Sequence, residues 1–135
     1  MKHALFIPLI ALVMVSCAKD QKAVNKLEGT WNATKWEVSD GGLTLDLIAL
    51  GGSASIVFEG CDVKDSWCNY TAYTSFLGVS DTISSLYRVT DAGNTLQLQD
   101  STSVNSSEIL ELSDSFLRIR DNSGSPSTEI EAAKQ

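Results

Sequence analysis

Histidine is nearly missing from this chain: among 135 residues the only one is His3. Past that position no Ser-His-Asp triad, Cys-His pair or His-ligated zinc site can be assembled, because each needs an imidazole as base or ligand. Carboxylate-only chemistry and oxygen-ligated calcium remain. Yet the Asp-rich stretch Asp62-Val63-Lys64-Asp65 lacks the regular ligand spacing of a calcium loop and reads as a solvated turn. The expectation is a protein that is not an enzyme and that holds no metal or cofactor. A basic stripe is missing too. Lys and Arg number 10 against 17 Asp and Glu, for a formal net charge of −7, which disfavours nucleic acid and anionic lipid headgroups as partners. Long apolar runs are also lacking, since none reaches the roughly 20 residues of a membrane-spanning helix.

What is present begins with Lys2 and His3, then an apolar run from Ala4 to Val15 broken only by Pro8. A charged start followed by a short apolar stretch is the pattern of a secretory signal peptide, so residues 1–16 are set apart from the fold. Removing Lys2 with that segment makes the remainder one unit more negative. The run ends in Met14-Val15-Ser16-Cys17, where a small residue directly precedes a cysteine and the polar stretch Lys19-Asp20-Gln21-Lys22 follows. This arrangement resembles the lipobox of bacterial lipoproteins, whose cysteine carries acyl chains such as palmitate and becomes the new N-terminus. The alternative is an ordinary signal with an incidental cysteine. Multiple chains, at about 0.8 kcal/mol per buried CH₂, would anchor the protein stably. Ala18, not being Asp, resembles an outer-membrane address, and the polar stretch after it resembles the surface-export signal of Bacteroidetes lipoproteins. The resemblance implies a lipid-anchored protein of the cell envelope, at the outer membrane, facing the periplasm or the surface.

Cys61 and Cys68 then face an oxidising compartment, where a mutual disulfide is the simplest outcome and two free buried thiols the alternative. Closing so short a loop stabilises by about 2.5 kcal/mol in the chain-entropy account. The residues after the leader suffice for one domain with one core. Residues 17–27 read as the lipidated cysteine and a tether that curls into a helical turn at Ala23, Val24 and Leu27; its ten free residues reach about 30 Å if extended. Residues 28–135 read as the folded domain.

From Thr30 onward short β-rich segments alternate with Gly, Asn, Asp and Ser clusters. Leu43-Thr44-Leu45-Asp46-Leu47 alternates strictly, and Ile56 and Phe58 share the next face. The turn from Asp62 to Ser66 leads into Trp67 to Phe76, so the disulfide would clip the tip of a hairpin. Ile83, Tyr87 and Val89 follow, Asp91-Ala92-Gly93-Asn94 turns the chain into Leu96 and Leu98, and Ser101 to Ser107 reads as a long polar loop. Ile109 to Leu112, Phe116 to Arg120 and Thr128 to Ala132 complete about eight or nine strands. Regular spacing argues for an all-β antiparallel up-and-down barrel, or a sandwich, with a short N-terminal tether. Closure removes the adhesive edges of such a sheet.

The first strand opens Lys26-Leu27-Glu28-Gly29-Thr30-Trp31. A Gly-x-Trp that opens a run of antiparallel strands resembles the start of the lipocalin fold, and in particular the lipocalin-like domain lipoproteins of the Bacteroidetes type, which join a lipobox to this Leu-x-Gly-x-Trp opening. The resemblance spans residues 24–134. It implies that the chain turns at Gly29 and that Trp31 plugs the closed end, with a basic residue of the last barrel strand, Arg118 or Arg120, packed over it. Motifs from the middle and end of the larger lipocalins are missing, so no ligand specificity carries over. An eight-stranded interior can be filled entirely by side chains.

Trp36 has the opposite parity to Trp31, so either a bulge lies near Ala33 to Lys35 or Trp36 faces outward. Trp67, Tyr70 and Tyr73 alternate faces on the clipped hairpin and would rim a pocket mouth or be half-buried strand aromatics; Phe58, Tyr87, Leu45 and Leu47 are core or ligand wall. Asp81-Thr82-Ile83 and Asp100-Ser101-Thr102 resemble O-glycosylation sites of exported Bacteroidetes proteins. Two functions follow: capture of a small apolar ligand, or a filled barrel whose surface engages a protein or glycan. If lipidation of Cys17 is the anchor, Cys17→Ser abolishes incorporation of a labelled fatty acid and releases the protein from membranes.

Overall fold

The computed structural model describes residues 18–62 and 66–135; Cys17 and the expected leader lie outside them, as do residues 63–65 of the turn after Asp62. Residues 18–27 form helix α1. Nine strands follow: β1 (Gly29–Asp40), β2 (Leu43–Asp46), β3 (Ser53–Phe58), β4 (Cys68–Phe76), β5 (Val79–Thr90), β6 (Thr95–Gln99), β7 (Val104–Leu112), β8 (Phe116–Asp121) and β9 (Ser127–Lys134). A single 3₁₀ turn, Asp91–Gly93, joins β5 to β6. Each of β3 to β8 pairs antiparallel with the next, β9 pairs back onto β1, and β1 pairs with β3, so eight strands close into an up-and-down barrel. The remaining strand, β2, pairs only with the far half of β1 and stands outside the ring.

Helix α1 covers one end. Ala23, Val24 and Leu27 recur at the spacing that puts them on one helical face, and all three are buried in the same core cluster as Trp31, Val89, Ile109 and Leu117. The helix touches two connections at that end, where Gln21 Nε2 donates to the Cys61 carbonyl at 3.3 Å and Asp20 Oδ1 accepts the Gly93 N–H at 2.7 Å, and Lys22 and Lys26 share a surface groove with Leu110 to Leu112 at the end of β7. The expected helical turn of a tether is thus a packed helix that belongs to the domain core.

The chain leaves α1 through Gly29, whose φ of +124° lies in a region that favours glycine and whose added Cβ would stand 2.8 Å from Lys134 Cε. Two residues on, Trp31 is fully buried. Its indole Nε1 donates to the Leu27 carbonyl at 2.7 Å, and Lys134 Nζ donates to the Lys26 carbonyl at 2.9 Å. Both bonds satisfy carbonyls that the helix end leaves without intrahelical partners. Lys134 Nζ also stands 5.3 Å from the Trp31 ring centroid, within cation–π range.

That position corrects the expected role of Arg118 and Arg120. On β8 the inward side chains are Leu117 and Ile119, both buried, so the arginines between and beyond them project from the outer wall. There Arg120 Nη2 pairs with Glu129 Oε2 at 2.9 Å and Arg118 Nε lies 3.7 Å from Glu129 Oε1. The cation over Trp31 comes instead from the next strand, from Lys134 at the end of β9.

Two bulges shift inward parity. Between Ala33 and Lys35 one extra residue breaks the β1–β9 register, so Trp31 and Ala33 face inward before the bulge and Trp36 and Val38 after it. Between Ile109 and Glu111 a second bulge does the same on β7. Strand β7 also starts at Val104, inside the expected polar loop: Leu98 pairs with Asn105 and Leu96 with Ser107. Backbone pairing needs no apolar side chains, so serines serve there. The loop proper is a tight turn in which Asp100 Oδ1 accepts the Thr102 and Ser103 N–H groups at 2.8 and 2.7 Å.

Beside β1, Asp46 Oδ1 accepts the Trp36 N–H at 3.1 Å and the Ile48 N–H at 3.0 Å, folding β2 back against its neighbour. Those bonds, the one from Trp36 first, hold the Asp46 carboxyl below the ordinary Asp range. Leu43 and Leu45 are exposed because no second layer covers β2. Cys61 and Cys68 are joined in a disulfide with a Cα–Cα distance of 5.6 Å, clipping the β3–β4 connection beside α1.

Truncating a fully buried Trp typically costs about 3–5 kcal/mol, so Trp31→Ala is expected to lower the thermal midpoint steeply. Arg120→Ala removes only a surface ion pair and should cost less than about 1 kcal/mol. Thermal unfolding of the two variants followed by circular dichroism separates these outcomes.

Candidate functional site

The barrel interior is not uniform along its axis. Near α1 it is filled by Trp31, Tyr87, Phe58, Leu96 and Leu117, all essentially inaccessible. The Phe58 and Tyr87 rings meet edge to face at 4.9 Å, and Tyr70 tilts against Phe58 at 6.3 Å. Toward the other end the inward positions of β3 and β4 are small: Ala54, Ala72 and Thr74. Small side chains on two adjacent strands cannot reach the axis, and a cavity of about 290 Å³ results.

Its floor is Phe58 and Tyr70. Its apolar wall is Ile56, Leu98, Ile119 and Ile130, with Trp36 brought inward by the β1 bulge and Ile83 near the mouth. The mouth opens between the β2 hairpin, the β4–β5 turn and the β6–β7 turn, at the end away from α1. Exposed apolar residues lie on and near that end, among them Leu77 at 82%, Val79 at 72% and Leu43 at 62% exposure.

Polar groups in the cavity are few. Thr74, Ser107, Asp121 and Thr128 line it. Among the described residues Ser107 is the one buried polar residue, with 8% exposure. Neither its hydroxyl nor that of Tyr70 is fully enclosed without a partner; among the described residues only Arg118 Nε, on the outer wall, is. Burial raises the Tyr70 hydroxyl above its ordinary pKa, with the Asp100 carboxylate adding to the shift.

The expected ligand-site residues divide. Phe58 and Tyr70 line the cavity. Tyr87 is beneath the floor, its hydroxyl donating to the Glu59 carbonyl at 2.6 Å. Trp67 is not at the mouth: it lies next to the disulfide at the covered end, on the outer wall, with the Arg88 guanidinium 4.4 Å from its ring centroid. Tyr73 faces outward between Ala72 and Thr74 and is 48% exposed. The hairpin clip lies at the opposite end from the opening, which removes Trp67 from the rim, and outward parity removes Tyr73. Trp36, Ala72, Ser107 and Asp121 were not singled out by sequence. Only Trp36 had a signal there, the parity conflict with Trp31.

A second, shallower groove lies on the outer wall where β1 and β3 part. Their pairing runs only from Gly29↔Phe58 to Asn32↔Ser55. Tyr73 lines that groove with Asn32, Ser55, Ser75 and Thr82. Among the described residues no group of three or more His, Cys, Asp or Glu is placed to hold a metal ion, and no helix is long and apolar enough to cross a membrane. No protein-family model matches the chain, and no curated protein matches it in sequence.

Burial, followed by repulsion from Glu28 and Glu59, pushes the Tyr87 hydroxyl up to about 12. Its folded pKa lies above the unfolded value of about 10. The unfolded state therefore loses this proton first, and stability falls as pH rises above the unfolded value and through the folded one. Denaturant midpoints measured across that range should show the alkaline loss in the parent chain and a smaller loss in Tyr87→Phe.

Proposed function

We propose that this chain is a lipid-anchored protein of the cell envelope whose barrel takes a small apolar ligand into the cavity above Phe58. The carrying observation is the cavity itself: about 290 Å³, walled mainly by aliphatic and aromatic side chains and open at one end. That volume falls near the lower edge of the roughly 300–1,000 Å³ usual for ligand pockets, which favours a small ligand. Exposed Leu77 and Val79 near the mouth would contact an apolar ligand as it enters.

The polarity of the fold fits an anchor on Cys17. The chain enters the barrel through α1 at the covered end, so a membrane attached there leaves the mouth facing away from it. The lipocalin-like opening at Leu27, Gly29 and Trp31 is in keeping with this reading. So is the missing histidine, which leaves binding without catalysis as the simplest use of the cavity.

A second reading, an interaction protein that engages a protein or glycan, draws support from the outer groove. Tyr73 is exposed there among hydroxyl and amide side chains, a combination able to stack on a sugar and hydrogen-bond its hydroxyls.

Fluorescence of prodan, a small neutral solvatochromic dye, separates the two. Under the first reading the dye binds, Ala72→Phe weakens it by at least about tenfold by filling the cavity, and Tyr73→Ala leaves it in place. A dye that does not bind, or binding lost in Tyr73→Ala and kept in Ala72→Phe, turns the conclusion to the outer face.

A further inference from the structure

We infer that the cavity contains a head-group subsite for a cationic amine, built by Ser107, Asp121 and Thr128 on three neighbouring strands. The inference rests on the cavity being a ligand site and specifies which chemistry it takes.

The three residues form one row across the sheet. Asp121 of β8 pairs with Thr128 of β9. On its other side β8 pairs with β7 through Glu108↔Arg120 and Ile109↔Ile119, and one further step of that register sets Ser107 beside Asp121. All three line the cavity, and side chains facing each other on adjacent strands stand about 5 Å apart at Cβ, close enough for one small head group to reach all of them.

Their hydrogen-bonding capacity is largely unspent. Ser107 has only 8% exposure, and its side chain lines the open cavity, where its hydroxyl can both donate and accept. Asp121 Oδ1 accepts the Ser123 N–H at 2.8 Å and the Ser123 hydroxyl at 2.6 Å, while Oδ2 receives no hydrogen bond among the described residues. An ammonium group carries three donors and no acceptor, which matches one carboxylate oxygen and two hydroxyls. Trp36, on β1 next to β9, adds an aromatic ring to the same cavity, a favourable neighbour for a cation.

Charge placement excludes the opposite head group. No Lys or Arg lines the cavity. Lys134 and the lysines of α1 stand at the covered end, and Arg88, Arg118 and Arg120 project from the outer wall. A carboxylate ligand would meet Asp121 with no cation to offset it, whereas an amine meets its counter-ion. The apolar remainder of the molecule would lie against Ile56, Leu98 and Ile130.

Octylamine, octanol and octanoate share a tail and differ in head charge, so their displacement of prodan from the full-length chain tests the subsite. Octylamine should compete at least about tenfold better than octanol, and octanoate should be the weakest. Asp121→Asn should bring the octylamine-to-octanol ratio close to one, and Ser107→Ala should lower it severalfold. Asp114→Asn, on the β7–β8 turn at the covered end, should leave the ratio unchanged. Octanoate competing as well as octylamine in the parent chain overturns the amine subsite without any variant. So does a ratio that survives in both Asp121→Asn and Ser107→Ala, and either result leaves the cavity standing as an apolar site. Failure of the parent chain to take up prodan removes the cavity reading, and the subsite with it.

Discussion

A buried indole must place its N–H, and the barrel is arranged around how Trp31 does so. Strand neighbours cannot serve, because their carbonyls are engaged in the sheet. The acceptor is the Leu27 carbonyl at the end of α1. This bond ties the helix to the barrel and makes α1 part of the core. It also requires a sharp exit between Leu27 and Trp31, which Gly29 provides with a positive φ. Lys134 completes the junction, since its ammonium bonds the adjacent Lys26 carbonyl while facing the Trp31 ring. A cation at a helix C-terminus is also favoured by the helix dipole.

With one end sealed in this way, the other end is free to remain hollow. The large inward side chains gather near the helix, whereas Ala54, Ala72 and Thr74 leave space nearer the mouth. Packing density near that of a crystal is normal for a protein interior, so space along the axis marks where the ring is not needed for its own cohesion. The hydrogen-bonded ladder holds the open half instead, and closure of β9 on β1 makes that ladder continuous. The β1 bulge contributes twice: it turns Trp36 into the cavity and ends the pairing with β3 early, which gives β2 room to fold against the far half of β1.

Charge is partitioned by the same geometry. The strands alternate inward and outward, and basic residues on β5 and β8 occupy outward positions where they meet Gln97 and Glu129. Among the described residues that line the cavity, the polar ones are hydroxyls and one carboxylate, Asp121. An acidic chain with an apolar interior thereby acquires a cavity whose only charged wall residue is negative.

Much of the architecture was legible in the chain alone. Alternation and turn residues located most strands because a half-buried strand has to alternate, and the Asp91 to Asn94 turn and the Cys61–Cys68 pairing are local in sequence. Legibility ended wherever the outcome depended on register between distant segments. Leu43 and Leu45 alternate like a buried strand yet stand exposed, since nothing in their own sequence says that no layer covers them. Arg118 and Lys134 both carry a cation near the chain's end, and only the pairing of β9 with β1 decides that Lys134 is the one beside Trp31. Trp67 and Tyr73 read as rim residues because the sequence shows which aromatics are near one another but neither which end of the barrel is sealed nor which parity of β4 faces inward. Ser107, read from the sequence as loop, and Asp121 and Thr128, at the ends of expected strands, become neighbours only through two cross-strand pairings. Composition and local spacing thus determined that this chain forms short antiparallel strands clipped by a local disulfide, because those properties belong to single residues and short segments. Tertiary structure decided which end is closed and which side chains share the cavity, because strand order and register are properties of the whole ring.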